Sequence, residues 1–491
     1  MTGPDTPDFP HFVERRTRLL AAAAIALRGY SDVLVPLGAL FTDAGHDLFL
    51  VGGSVRDAVL GRLSEDLDFT TGARPDEVVA LVTGWADAIW DTGIEFGTVS
   101  VRKGGLTIEI TTFRAEAYDR VGRNPVVTFG DTLDGDLVRR DFTINAMAVR
   151  IGPDGAQEFC DPLDGMTALL AGVIDTPATP QESFDDDPLR MLRAVRFVSQ
   201  LGFRLAPRVI DAIAEMNGQI ERITAERVRV ELDKLICGEH PIEGLEIMVD
   251  TGLAERVIPE IPGMKLTIDE HHQHKDVYQH SLTVLRQAID LEESDPDPVL
   301  RWAALLHDIG KPATRRHEEG GGVSFHHHEV VGAKMVRKRM RALKYPKATV
   351  EDVATLVFLH LRFHGYGDGA WTDSAVRRYV TDAGDLLDRL NKLVRADCTT
   401  RNKHRARRLQ ESYDDLERRI AELKAAEDLG RVRPDLDGNA IMELLGLEPC
   451  PEVGEAWKYL KELRLDRGPL PREEAEAELL KWWAARRSEG N

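Results

Sequence analysis

The spacing of hydrophobic and polar residues changes character near residue 180. Before that point the apolar runs are short and either continuous or alternating. LFLVGG reads as a buried strand ending in glycines, and SVRDAVLG as the helix it opens. DLDFTT, TVSVRKGG and LTIEITTF read as further strands, and a polar stretch between Arg114 and Gly135 as a long loop. After residue 180 the strand signals almost vanish. PLRMLRAVRFVSQLGF and TAERVRVELDKLI follow helical spacing, and the remainder stays helical to the C-terminus. Strands first and helices afterwards predict an α+β head carried on an all-helical body. Leu19 to Leu27 is apolar and follows Arg15, Arg16 and Arg18. Arg28 comes directly after it and no small-residue cleavage site stands out, so the segment is expected to be an amphipathic helix, not a signal peptide. No run reaches the roughly 20 apolar residues of a membrane span. A cytoplasmic protein with no membrane partner is the expectation.

Composition refines this picture. A chain of 491 residues exceeds one hydrophobic core and implies two to four domains. With 43% hydrophobic and 30% charged residues, a disordered chain is excluded. The net charge of −20 argues against a nucleic-acid partner only globally, because phosphate contact depends on local basic patches. Lys334, Arg337, Lys338, Arg339, Arg341, Lys344 and Lys347 form one such run, and Arg395, Arg401, Lys403, Arg405, Arg407 and Arg408 a second. Each is read either as RNA contact or as a solvated helix face. Cys160, Cys237, Cys398 and Cys450 are scattered without a CxxC pair, which fits a reducing compartment and no structural zinc.

The chemistry-bearing residues of the head sit in three places. In SEDLDFTT, Asp66 and Asp68 are two apart on a strand, so both carboxylates project from one face while Leu67 and Phe69 face the core. Paired carboxylates suit Mg²⁺, a hard cation that keeps water and substrate phosphates around it. Glu109 alternates with Ile108 and Ile110 and is a candidate third carboxylate. Gly52, Gly53 and Ser54 occupy a strand-to-helix turn whose N–H groups favour phosphate. Arg139, Arg140 and Asp141 precede an apolar segment in RRDFTINAMAV. Surface DxD pairs, strand–turn–helix junctions and capping aspartates are each commonplace. All three in this order are not.

LFLVGGSVRDAVLGRLSEDLDFTT, RRDFTINAMA and DDDPLRMLRAVRF together resemble the signature motifs of class II tRNA nucleotidyltransferases and related bacterial poly(A) polymerases, over roughly residues 40 to 240. The resemblance implies a head with a mixed β-sheet, in which Asp66 and Asp68 hold the catalytic metals, with Glu109 as the third acid. It implies that Gly52, Gly53 and Arg56 bind triphosphate, and that Arg139, Arg140 and Asp141 contact ribose and phosphates. The reaction would be attack of an RNA 3′-hydroxyl on the α-phosphate, assisted by two metals. In the family a carboxylate and an arginine read the base edge of CTP or ATP. Here Asp187 and Arg190 inherit those roles, and their spacing of three is read as one helix face. Asp186 stands where the family usually has Glu, a mild departure. Arg193 and Arg196 continue that face, either reaching phosphate or facing solvent.

Eleven of the fifteen histidines fall between His271 and His364. His307 and Asp308 lie in RWAALLHDIGKP, an apolar helix stopped by Gly310 and Pro312, with His280 upstream and Asp397 far downstream. This H…HD…D order resembles the HD phosphohydrolase superfamily over roughly 270 to 405. His328 and His360 occupy places where two-metal members carry extra histidines, although His326 or His327 could replace His328. Imidazole-rich ligation implies a divalent transition metal in this domain, in contrast to Mg²⁺ in the head. His271, His272 and His274 read as loop residues. DGNAIMELLGLEPCPEVGEAWKYLKEL resembles the family's C-terminal segment, with Cys450 in place of a glycine that would carry strain if φ were positive.

The expected organisation is an N-terminal helix (1–32), a nucleotidyltransferase head (33–175), a helical neck for base recognition and RNA binding (176–262), an HD phosphohydrolase-like domain (263–410) and a tRNA-binding helical tail (411–491). The expected function is addition of CCA to tRNA from CTP and ATP, with an accessory HD phosphohydrolase activity. Rival readings are a poly(A) polymerase or partial-CCA enzyme with the same head, and an HD phosphohydrolase whose head only binds RNA.

Overall fold

The computed structural model describes residues 9–90, 93–94, 97–115, 128–265, 276–318, 323–365, 371–399, 402–427 and 432–489. Most of the polar stretch after Arg114, and His271, His272 and His274, lie outside the described residues. The chain divides into two compact units, Met1–Val257 and Ile258–Asn491.

The first unit opens with helices α1 (Phe9–Arg28) and α2 (Ser31–Asp43). Next come β1 (Leu48–Val51), α3 (Gly53–Val59), β2 (Asp66–Thr71), α4 (Pro75–Val82), β3 (Ala88–Trp90), β4 (Thr98–Lys103) and β5 (Leu106–Thr112). The short strands β6 (Arg114–Ala115) and β7 (Thr128–Phe129) precede α5 (Leu133–Val138), β8 (Ala148–Gly152), β9 (Gly155–Cys160) and α6 (Gly165–Ala171). Seven strands form one sheet in the order β3-β4-β5-β2-β1-β8-β9. It is mixed: β2 and β5 run parallel, and the other neighbours are antiparallel. One face is the core. Leu67, Phe69, Val99, Val101, Ile108 and Ile110 are all essentially buried, and α2 and α4 pack beside them. Burial of each such side chain contributes roughly 1.5–3 kcal/mol. The alternation that hides these residues leaves Asp66, Asp68 and Glu109 on the other face. The segment after Asp141, read only as apolar, supplies a single 3₁₀ turn and then β8, which pairs with β1 in the interior of the sheet.

The first unit ends in helices: α7 (Pro180–Asp186), α8 (Leu189–Leu201), α9 (Pro207–Met216), α10 (Ala225–Ile236), α11 (Pro241–Asp250) and α12 (Leu253–Val257). The buried stripe of α8 packs against α10 and α11.

The second unit contains α13 (Val277–Asp290), α14 (Pro298–Leu306), α15 (Lys311–Thr314), α16 (His328–Ala342), α17 (Lys347–Leu359), α18 (Asp373–Ala383), α19 (Leu387–Ala396) and α20 (Lys403–Ala426). Its last helices, α21 (Gly438–Leu445), α22 (Pro451–Arg467) and α23 (Arg472–Glu489), share a small core of Leu436, Ile441, Ala456, Leu460, Ala475 and Leu479. Cys450 is the N-cap of α22 with an extended backbone (φ −152°), so the anticipated strain is absent. Much of the basic run on α16 is internally paired: Arg337 and Arg341 bind Glu351, and Arg339 binds Glu260. In the second run Arg395 binds Asp414 and Glu417. Among the described residues no single helix is long and apolar enough to cross a membrane; α1 and α2 pass that test only as a pair bent by 89°.

Candidate functional site

Strand register brings the head's acids together. In the parallel β2–β5 pair, Asp66 stands opposite Thr107 and Asp68 opposite Glu109. Partners across a ladder share a face, so Glu109 is the lateral neighbour of Asp68, and Ser100 of β4 lies next in the same row. Burial, then the Glu109 charge, push the Asp68 carboxyl above its ordinary range, with Asp66 adding to the effect and Arg140 opposing it. Concentrated negative charge of this kind is relieved by a cation, and three oxygen donors on one face fit Mg²⁺.

The turn between β1 and α3 is built around Gly52, whose φ of 67° an L side chain rarely adopts. A Cβ there would also come within 3.0 Å of Arg140 Nη1. Ser54, expected to serve phosphate through the N–H groups of this turn, has its side chain turned inward. Its hydroxyl accepts the Asp68 N–H at 3.0 Å and lies 3.4 Å from the Asp66 carbonyl, so it braces the strand that carries both acids. Arg140 donates to Asp136 at 2.9 Å.

Several residues expected at the nucleotide belong to a buried ionic chain. Arg56 is only 8% exposed and donates to Asn145 at 2.6 Å and to Asp57 at 2.7 Å. Asp141 accepts from its neighbour Phe142 N–H at 2.8 Å, from Asn145 at 2.9 Å and from Arg193 Nε at 2.9 Å. Although burial opposes it, Arg193 and these hydrogen bonds hold the Asp141 carboxyl well below the usual range. Arg196 binds Glu231 of α10 at 2.6 Å, and burial lowers its pKa to about 10. Arg196 is therefore buried and not on a solvated face, whereas the Arg193 side chain stays one-third exposed. α10 packs on that side of α8, where Glu231 pairs closely with Arg196 and lies 3.8 Å from Arg193.

The Asp187/Arg190 pair also differs from its reading. Asp187 is not in α8; it is the extended residue (φ −138°, ψ 99°) that ends α7, with Pro188 between it and α8. One of its oxygens caps the Leu189 N–H at 3.1 Å and the other meets Arg227 of α10 at 2.9 Å. Arg190 donates to Ser183 Oγ at 2.9 Å and to the Arg139 carbonyl at 2.6 Å. The two side chains are thus set by a helix–helix junction. Asn145, Arg227 and Glu231 were not singled out in the sequence, because nothing local marks which charges a neighbouring helix will supply.

In the second unit, helix ends converge. His280 lies in the first turn of α13, His307 caps α14, His328 opens α16, His360 caps α17 and Asp397 caps α19. His307 and Asp308 therefore follow their helix and do not lie within it. Gly310 permits the close approach: a Cβ there would fall 2.2 Å from the His328 carbonyl oxygen. His328 is the buried member of its triplet, whereas the His327 side chain is 83% exposed.

Asp308 divides its two oxygens. Oδ2 faces His307 Nε2 at 3.1 Å and His280 Nε2 at 3.4 Å, while Oδ1 faces His328 Nε2 at 3.2 Å and His360 Nε2 at 3.8 Å. Asp397 Oδ1 lies 3.0 Å from His280 Nε2. Two triads result, His280/His307/Asp397 and Asp308/His328/His360, with ligand atoms within 4.8 Å in each. The Nδ1 atoms of His307, His328 and His360 lie 2.6–2.8 Å from backbone carbonyls of Ala304, Phe325 and Val357. Carbonyls only accept, so each Nδ1 carries the proton and each neutral ring turns a lone pair inward. Lone pairs facing carboxylate oxygens repel unless a cation lies between them. The Nε2 atoms of His328 and His360 are indeed buried without a hydrogen-bond partner. This donor set fits a pair of transition-metal ions. Without metal, a proton does part of that work: Asp308 and Asp397 overcome burial and raise the His307 pKa to about 9. Lys311, not singled out in the sequence, reaches Asp308 Oδ2 at 2.9 Å.

Family models match three separate stretches of the chain. Residues 48–175 match the family described as "Poly A polymerase head domain", 202–264 "Probable RNA and SrmB- binding site of polymerase A", and 277–421 "HD domain". The chain is 33% identical to an A-adding tRNA nucleotidyltransferase of Deinococcus radiodurans, over 88% of this chain and 95% of that protein. It is 43% identical to a CCA-adding enzyme of Lactobacillus helveticus, over 47% of this chain; here it spans about half of the relative's length, 56%. The crystal structure of the Bacillus stearothermophilus CCA-adding enzyme in complex with CTP is similar with a TM-score of 0.68 and 25% identity, covering 94% of this chain and 99% of that one. On the strength of the near full-length relative and the three matched domains, this chain belongs to the tRNA nucleotidyltransferase/poly(A) polymerase family, in a branch that carries an HD domain.

Proposed function

We propose that this protein adds CCA to the 3′ end of tRNA from CTP and ATP. The observation that carries the reading is the row of Asp66, Asp68 and Glu109 on one open face of the sheet, braced from behind by the Gly52–Ser54 turn. Divalent ions held by these carboxylates would lower the cost of charge on the attacking and leaving oxygens. The RNA 3′-oxygen bonds to the α-phosphorus, the bond from that phosphorus to the bridging oxygen breaks, and pyrophosphate departs. Gly52 and Gly53 offer backbone N–H groups to the triphosphate, Arg140 stands beside that turn, and Arg139 is the neighbouring cation for ribose and phosphate. Asp187 and Arg190 read the base: a carboxylate acceptor and a guanidinium donor suit the exocyclic amine and ring nitrogen that C and A share.

A narrower reading, addition of the terminal A alone, is favoured by the near full-length likeness to an A-adding enzyme. The second unit is proposed to hydrolyse phosphoesters such as cyclic or terminal phosphates on RNA ends. Its support is the paired triads around Asp308. Product analysis separates the readings. tRNA transcripts ending before CCA, after C and after CC are supplied with CTP and ATP singly and together. Full CCA on the shortest transcript supports the first reading, extension only of the CC transcript the second. No incorporation on any of them rules out both.

A further inference from the structure

Three of the four histidines around Asp308 are oriented by a backbone carbonyl three residues earlier in the chain. His280 is the exception. Its Nδ1 lies 3.3 Å from the hydroxyl of Thr399, contributed by a segment 119 residues away in the sequence. That segment also supplies Asp397, whose Oδ1 meets the other nitrogen of the same ring at 3.0 Å. His280 is thus gripped at both nitrogens by one short stretch of chain, which starts where α19 ends. Thr399 has a free choice of hydroxyl orientation, so it can accept from Nδ1–H and leave Nε2 as the inward lone pair, as the carbonyls do for the other three rings.

Resting on the proposal that the Asp308 cluster holds two metal ions, we propose that Thr399 is a positioning residue for one of them. It fixes the tautomer and ring angle of His280, and with Asp397 it completes the His280/His307/Asp397 triad. In the Asp308/His328/His360 triad both histidines are oriented by backbone carbonyls and neither by Thr399. Loss of the hydroxyl therefore weakens one site of the pair and spares the other. Outer hydrogen bonds to ligating histidines typically change metal affinity roughly 10–100-fold.

The test is nickel titration by calorimetry on the full-length chain. Asp66→Ala and Asp68→Ala are present throughout, so that the nickel counted belongs to the second unit. This parent is expected to bind two nickel ions. Thr399→Val should keep one at parental affinity and bind the other roughly 10–100-fold more weakly. Thr399→Ser, which keeps the hydroxyl, should restore the parental isotherm. Two unchanged binding events in Thr399→Val overturn the role of Thr399 while leaving the metal pair intact. Equal weakening of both events, or failure of Thr399→Ser to restore binding, also overturns it. A parent that binds no nickel removes the metal pair itself.

Discussion

Ser54 Oγ accepts the backbone N–H of Asp68 at 3.0 Å across 14 residues of sequence. The same hydroxyl lies 3.4 Å from the Asp66 carbonyl, so one side chain from the glycine turn spans the interval between the two acids. Ser54 is buried, and β2 has its partner β5 on one side and β1 on the other. The hydroxyl therefore sets the edge of the strand at the point where its ladder with β1 has run out.

Ser54→Ala leaves the Asp68 N–H without its partner in a half-buried setting, at a cost of about 1–3 kcal/mol. Nucleotide transfer should fall by roughly tenfold or more, since each 1.4 kcal/mol of lost positioning is about a factor of ten. Phosphoester hydrolysis by the second unit should be unchanged. Steady-state assays of both reactions on one preparation check this. A fully active Ser54→Ala enzyme removes the bracing role.

The two units should separate by mutation and by metal. Asp66→Ala or Asp68→Ala should abolish nucleotide addition, because each removes an oxygen donor from the open face without touching Leu67 or Phe69 beneath. The double replacement of His307 and Asp308 by alanine should abolish metal uptake and hydrolysis of p-nitrophenyl phosphate in the second unit while sparing nucleotide addition. Mg²⁺ should support the first reaction, and Mn, Co or Ni the second. A single metal and a single set of mutations governing both reactions contradicts this.

Asp187→Ala and Arg190→Ala should damage the choice between bases as well as the rate. Arg227→Ala should resemble Asp187→Ala more weakly, because it frees the carboxylate it now meets at 2.9 Å. This pair is partly exposed, so its loss costs no more than about 1 kcal/mol of stability. Misincorporation of GTP and UTP, measured beside CTP and ATP, is the readout. Uniformly slower addition with unchanged selection in Asp187→Ala sinks the base-reading assignment.

Metal-free protein should lose stability in alkali. His307 titrates at about 9 when folded against an ordinary value of 6.5. A raised folded pKa gives stabilisation that is complete below the unfolded value and lost as pH climbs through the folded one. Chelated protein should therefore lose roughly 1–3 kcal/mol in the second unit as pH rises from 6.5 to 9. Metal-loaded protein, with an unprotonated His307 nitrogen on the ion, should not show that loss. Thermal melts across this range, with and without nickel, check it; parallel curves count against the assignment.

Much of this organisation is legible in the sequence because it is local. Alternation puts Asp66 and Asp68 on one face with Leu67 and Phe69 behind them, and a residue's two-residue periodicity needs no knowledge of its partner strand. Helical spacing likewise marks α8 and α10, and the clustering of histidines marks the second unit. What the tertiary structure alone decides is everything that depends on pairing. The parallel register of β2 with β5 makes Glu109 the neighbour of Asp68. The packing of α10 on α8 turns Arg196 from a surface cation into the partner of Glu231. The junction at Pro188 separates Asp187 from the helix that carries Arg190. Thr399 and His280, 119 residues apart, meet only because helix ends converge on Asp308. Periodicity is a property of neighbouring residues in the chain, whereas register and helix contact are settled by burial energy summed over the whole fold.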